Sequence, residues 1–462
     1  MDHTNYQSPF SWRYGSKEMR TIFSEHHKYE LWRRIWVALA RAQCKAGVVS
    51  RKELKDLEKH HAAIDIKRIL EIEKDTDHDV MAAIREFAEK AKVGGGKIHA
   101  GATSMDIVDN TQVLQIKEGL LLIRPKLIAL LRECGQRIDR YAAVACIGFT
   151  HLQPAEPTTV GYRLAFYAQS LMNDLSQLDY VLQNLHGKGL KGAVGTSASY
   201  ASLLSDTSMS PQELEHEVMQ NIGLRPALIS SQTYDRKQDY VVLTVLSSIC
   251  GSLAKYAADL RILQSPQYGE WSEPFGKKQV GSSAMPFKKN PRHSEKICSL
   301  ARYVTHLPNI AHENAMHSYL ERTLDDSANR RTIIPEAFIA TDEIVNTAMR
   351  ILNGMIINEH KIAANLEKYA PFTASESILM KTVKIGADRH EMHDLLKSLA
   401  LKSWDAVSRG EPNPMKQLLL TDSIIGQFLT DGQIEETFDV RHHIGDAPQR
   451  ARKLAKLLKN IK

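Results

Sequence analysis

Three stretches of the chain carry apolar residues in steps of three and four, and that spacing restricts the fold more than any other feature. One runs Val113, Ile116, Leu120, Ile123, Leu127, Leu130 and Cys134; a second runs Leu164, Tyr167, Leu171, Leu175, Leu178, Leu182 and Leu185; a third runs Leu243, Leu246, Cys250, Leu253, Ala257 and Leu260. Such steps keep one stripe of a helix turned towards a partner helix. Three of them predict long helices in an elongated antiparallel bundle. Pro125 sits inside the first stretch and predicts a kink, because its ring removes a donor and crowds the preceding turn. Shorter helices have readable ends. Ser50 and Glu53 form a capping-box pattern, and Ser210-Pro211, Glu213 and Gly223 make a full start-and-stop signature. No segment alternates convincingly with period two over six or more residues, so the expected fold class is all-α.

Composition narrows the function classes. A length of 462 residues suits two or three domains. Shares of 43% hydrophobic and 25% charged residues exclude disordered, collagen-like and disulfide-scaffold chains. The formal charge is +6, but the segment from Ala451 to Lys462 holds Arg452, Lys453, Lys456, Lys459 and Lys462 without an acid. The body is therefore nearly neutral and has no basic stripe, so no nucleic-acid partner is expected. Leu454, Leu457, Leu458 and Ile461 give this tail two readings, a basic helix on a membrane surface or a last helix docking its leucines. Cys44, Cys134, Cys146, Cys250 and Cys298 are odd in number and contain no CxxC pair, which points to a reducing compartment. The first residues show no apolar core flanked by basic residues, so no signal peptide is expected. The longest uncharged run, Tyr240 to Ala254, is shorter than the ~18–20 residues that span a bilayer. A cytoplasmic protein without a membrane partner is the expectation.

The loops hold the chemistry. Gly94-Gly95-Gly96 leads into KIHAGATS, residues 97–104. Residues 149–159, FTHLQPAEPTT, carry two prolines expected to block regular structure. Residues 274–291 form a long stretch with prolines, glycines and lysines around Ser282-Ser283, and such a stretch inside a helical protein is more often functional than accidental. Backbone N–H groups in a turn after Gly281 can converge on an anion, with Lys288 nearby, or the stretch is a linker with solvated lysines. No GxSxG or GxxxxGK[ST] pattern is present, so neither a nucleophile elbow nor a P-loop is supported. His151 is poised for proton transfer near neutrality, or is structural. His78 lies between Asp77 and Asp79, where an imidazolium would meet a phosphate; the alternative is a surface helix start. Arg322, Ser327 and Arg331 suit a carboxylate or phosphate, or belong to a salt-bridged helix face. The pairs His26-His27, His60-His61 and His442-His443 are adjacent, and neighbours on a helix diverge, so no metal site is expected.

Residues 281–291, GSSAMPFKKNP, resemble the signature loop of the fumarase/aspartase superfamily. With Ala284 and Phe287, and with SPFSWRYGSKEM, DHDVMA, HAGATSMDIVDN, FTHLQPAEPTT, SSQTYDRK and ERTLDDSANRR, nearly the whole chain is similar to the adenylosuccinate lyase family. The resemblance implies an all-α, three-domain fumarase/aspartase-like fold, with an N-terminal domain 1–103, a central long-helix bundle 104–356 and a C-terminal domain 357–462. It implies a homotetramer whose active sites take residues from three chains. The implied activity is a C–N lyase without a cofactor, releasing fumarate from adenylosuccinate and from the succinylated aminoimidazole carboxamide ribotide (SAICAR). By the family pattern Ser282 is the base, His151 the acid, and Glu295 the carboxylate orienting His151. Lys288 and Asn290 stabilise the carboxylate charge. Arg13, Tyr14, His78 and Arg322 match positions gripping phosphate or carboxylates. Thr103, Ser104, Gln232, Ser327 and Arg331 match other binding positions, and Asp79 flanks His78. Asp77 and Lys296 depart from the pattern, standing where many relatives carry arginine. Other lyases of the same fold, a non-catalytic helical scaffold and a nucleic-acid binder are the alternatives.

Overall fold

The computed structural model describes residues 4–276 and 280–461. Lys277 and Lys278 of the long loop, and Lys462 of the basic tail, lie outside the described residues. Five helices of 25 residues or more dominate: α1 (Ser104–Arg140), α2 (Val160–Asn184), α3 (Lys237–Gln264), α4 (Arg292–Met316) and α5 (Ser327–Gly354). Among the described residues, strands form only two two-stranded sheets, and the all-α class holds.

The apolar stripes account for the long helices. Every residue of the first and third stripes is buried, and in the second only Leu182 is partly exposed. Helix α1 continues through Pro125 without a break, as α4 and α5 continue through Pro308 and Pro335. Helix α3 is long and apolar enough to cross a membrane, yet half of its most apolar window is buried inside the protein. Its stripe thus behaves as core. The predicted caps form: Ser50 with Glu53 and Ser210 with Glu213 both close capping boxes, and Gly223 ends its helix at φ 77°.

Backbone contacts divide the chain into two compact units. One comprises residues 1–126, 174–251 and 299–346; the other comprises 127–173, 252–298 and 347–462. The second unit includes a core of C-terminal residues, among them Ile378, Met392, Met415, Leu419 and Ile425. In the tail helix Ala447–Lys459, Leu454 and Leu458 are buried and Leu457 is exposed. The Leu458 side chain lies 3.1 Å from where a Cβ on Gly135 would stand, so this helix packs against α1 through Leu458.

One expectation fails. Residues 149–159 are regular: β1 (Ala145–Thr150) and β2 (Gln153–Thr159) form an antiparallel hairpin. Pro154 and Pro157 pair with Phe149 and Ile147. Both strands of a two-stranded sheet are edges, where a missing N–H is tolerated. Register slips between Ile147 and Phe149, and a Cβ on the intervening Gly148 would stand 2.8 Å from the Glu156 carbonyl oxygen. A bulge needing glycine explains why no period-two pattern is visible there.

Candidate active site

His151 owes its position to that hairpin. Thr150 pairs with Gln153, so His151 and Leu152 alone form the turn, at φ 54° and 60°. Two-residue hairpin turns favour positive φ at both positions and usually use asparagine and glycine. Histidine and leucine there carry strain of about 1–2 kcal/mol each. The exposed imidazole lines a cavity of about 350 Å³ with Arg163, Tyr167, Asp259 and Tyr268.

The loop before α4 is held at its base. Glu273 accepts from the backbone N–H groups of His293 (3.2 Å) and Ser294 (2.5 Å), so one carboxylate caps α4 and closes the loop. Gln264 bridges the two limbs, accepting from Glu273 N (2.9 Å) and donating to the Lys289 carbonyl (2.8 Å). Within the loop Asn290 Nδ2 donates to the Gly281 carbonyl at 3.0 Å. A Cβ on Gly281 would stand 2.0 Å from the Lys288 carbonyl oxygen, so only glycine permits this approach. Ser282 Oγ accepts from the backbone N–H of Ala284 (3.3 Å) and Met285 (3.0 Å). Two fixed donors on one hydroxyl oxygen favour negative charge on it. The loop thus gathers Ser282, Lys288 and Asn290. Glu295 stands exposed in the first turn of α4, and Lys296 follows it. Among the described residues no hydrogen bond joins Glu295 to His151.

The remaining candidates belong to the first unit. Asp77 ends one helix in the left-handed conformation, and His78 caps the next (Asp79–Lys90), its Nδ1 accepting from Met81 N at 3.2 Å. The surface-helix-start reading of this segment is therefore correct locally, and the same cap leaves Nε2 to carry the proton of the neutral ring. Arg331 approaches Asp79 at 3.8 Å. Arg13 is exposed with its guanidinium 5.5 Å from the Trp12 ring centre. Tyr14 is fixed through its carbonyl, which accepts from Arg20 at 2.8 Å. Thr103 N donates to Asp106 at 3.0 Å, and Ser104 begins α1. Gln232 N donates to the Glu321 carbonyl at 3.3 Å.

A buried ion network that sequence reasoning missed holds the segment around residues 322–331. Arg236 forks onto Asp109 at 3.1 Å with both terminal nitrogens and binds Asp326 at 2.6 Å. Arg330 binds Asp239 at 2.7 Å and the Tyr234 hydroxyl at 2.6 Å. Arg322 reaches Asp326 at 3.3 Å, and burial holds its pKa below the usual arginine value. The network ties α1, residues 234–239 and the start of α5 together, setting the places of Arg322, Ser327 and Arg331. The salt-bridged reading of residues 322–331 thus fits Asp326 and Arg330, while Arg331 is 72% exposed. A second hub, Asp106, accepts from Lys188 Nζ, Lys191 N, Gly192 N and the Tyr200 hydroxyl.

His99, in the same KIHAGATS loop, was also missed. It lies at φ 67°, and the Trp36 indole N–H donates to its Nδ1 at 3.1 Å. That bond leaves the ring proton on Nε2 and opposes a second one. Burial pushes its pKa down to about 4, against the pull of Asp106 and with His78 adding to the shift. Between the ordinary value of 6.5 and about 4, the unfolded chain takes up a proton that the folded one refuses. Stability present above the upper value is therefore lost as pH falls through this window, by about 3 kcal/mol. His99→Gln, which keeps an acceptor for Trp36, is expected to flatten that decline in melting temperature. Parallel curves for both proteins would contradict it. Among the described residues, no group of three or more His, Cys, Asp or Glu side chains is arranged to hold a metal ion.

The family model for lyases matches residues 13–305, and the model for the adenylosuccinate lyase C-terminus matches residues 371–454. The adenylosuccinate lyase of Schistosoma mansoni is 35% identical over 90% of this chain and 88% of its own. That of Schizosaccharomyces pombe is 34% identical over 97% of this chain and 93% of its own. Among solved structures, 3-carboxy-cis,cis-muconate lactonizing enzyme from Pseudomonas putida superposes with TM-score 0.85 at 22% identity, covering 98% of this chain and 100% of that one. A fumarate lyase from Mesorhizobium sp. BNC1 gives TM-score 0.84 at 22% identity, covering 98% and 99%. The structural likenesses establish the fold, the sequence matches go further, and the chain belongs to the adenylosuccinate lyase family.

Proposed function

We propose that this chain releases fumarate by β-elimination from adenylosuccinate, leaving AMP, and from SAICAR, leaving the corresponding carboxamide (AICAR). The observation that carries the reading is the Ser282 hydroxyl, which accepts two backbone N–H groups inside a loop tied by Asn290. Ser282 Oγ, as the alkoxide, takes the proton from the succinyl carbon next to a carboxylate. Charge builds on that carboxylate, where Lys288 and Asn290 stabilise it. The C–N bond then breaks, its electron pair goes to nitrogen, and His151 supplies the proton that nitrogen needs. Arg13, Tyr14, His78 and Arg322 grip the phosphate and carboxylates. Thr103, Ser104, Gln232, Ser327 and Arg331 complete the binding set, with Asp77, Asp79 and Lys296 at its margin.

The proposed assembly is a cytoplasmic homotetramer with shared sites and the three-domain division at 103 and 356. Two features support it. Leu121, Phe166, Tyr180 and Ile310 expose apolar surface on α1, α2 and α4, which a bundle of bundles would cover. His151 and Glu295 make no bond to each other within the described residues of one chain, and a neighbouring chain supplies the missing carboxylate. The test is fumarate formation by purified protein given adenylosuccinate, SAICAR or argininosuccinate in turn. Turnover of the first two supports the reading; turnover of argininosuccinate alone overturns it.

A further inference from the structure

We propose that Tyr268 is a positioning residue for His151, an inference that rests on the proton-donor role given to His151 above. The His151-Leu152 turn holds two positive φ angles without glycine or asparagine, so its own residues do not favour it. Something outside the turn must fix it. The Tyr268 hydroxyl donates to the Leu152 carbonyl at 2.9 Å, and the Tyr268 ring meets Phe149 edge-on, with centres 4.8 Å apart at 83°. Tyr268 thus grips the turn and the strand leading into it.

Tyr268 is itself anchored. The buried Asn365 donates from Nδ2 to the Tyr268 carbonyl (3.0 Å) and to Glu270 (2.9 Å). Glu270, fully buried, accepts from Arg163 at 2.8 Å, and Arg163 also donates to the Ile147 carbonyl on β1. Residues 268–270 therefore splint the hairpin at two places, with Arg163 and Glu270 at the strand and Tyr268 at the tip. Without the hydroxyl, the peptide after Leu152 is released and the turn relaxes towards negative φ, which turns the imidazole away from the departing nitrogen. Tyr268 touches no reacting atom; it acts through His151.

Tyr268→Phe tests this by removing the hydroxyl and keeping the ring. The expected result is a fall in kcat of about 10-fold with KM within about 2-fold and an almost unchanged melting temperature. In a His151→Ala background, whose residual turnover is read over long incubations at high enzyme concentration, the same substitution should have no further effect. Amide hydrogen exchange in the peptide covering 149–153 should quicken in Tyr268→Phe, a readout that needs no substrate. Wild-type kcat together with unchanged exchange would overturn the proposal, as would an equal loss in the His151→Ala background. Wild-type protein that leaves adenylosuccinate intact would refute the proposed reaction, while the exchange measurement would still judge the splint.

Discussion

Replacing Ser282 with alanine is expected to lower kcat by about 10³-fold or more while KM stays within a few-fold of wild type. The substitution removes the oxygen on which Ala284 N and Met285 N converge, and leaves the ties of Asn290 to Gly281 and of Gln264 to Lys289 untouched. The proposed binding residues Arg322 and Ser327 stand on a scaffold of ion pairs built around Asp326 and Arg330, which the substitution does not touch. Substrate should therefore still bind, and exchange of the succinyl proton with solvent should stop. A loss confined to KM would mean that Ser282 binds rather than reacts. Retained turnover would remove it from the base role.

The second large effect is a gain. His151→Ala and Ser282→Ala proteins should each be nearly inactive, yet mixed tetramers should recover about a quarter of wild-type activity. On the proposed assembly the acid and base of one site come from different chains. Random mixing then leaves some sites with an intact His151 from one variant and an intact Ser282 from the other. The geometry that motivates this is the absence of a His151–Glu295 bond among the described residues, with both side chains exposed. No recovery in subunits shown to have exchanged would argue for sites completed within one chain.

How much of this was readable in the chain differs by element. The stripes on α1, α2 and α3 were legible because packing one helix on another demands a three-four step, and the buried residues are the ones that step selects. Caps at Ser50 and Ser210 were legible because they are local hydrogen-bond patterns. The hairpin at His151 was not. Two prolines argue against a strand in general, and only the knowledge that both strands are edges removes the objection. His99 gave no local signal, since the Trp36 bond that sets its proton spans 63 residues. The density of charge in residues 322–331 was visible, but its meaning was divided. Asp326 and Arg330 pair with residues far along the chain, at 236 and 239, and so build the scaffold, whereas Arg331 keeps its side chain towards solvent. The motif loop around Ser282 was recognisable by resemblance, while the clamp formed by Glu273 and Gln264 was not.

The central claim is that one serine oxygen removes the proton that starts the elimination. A crystal structure of the assembled His151→Ala protein holding intact adenylosuccinate tests it most directly. The account predicts Ser282 Oγ within about 3–3.5 Å of the succinyl carbon that loses its proton. A closed loop that leaves this oxygen well beyond reach of that carbon, with another side chain in its place, would contradict it.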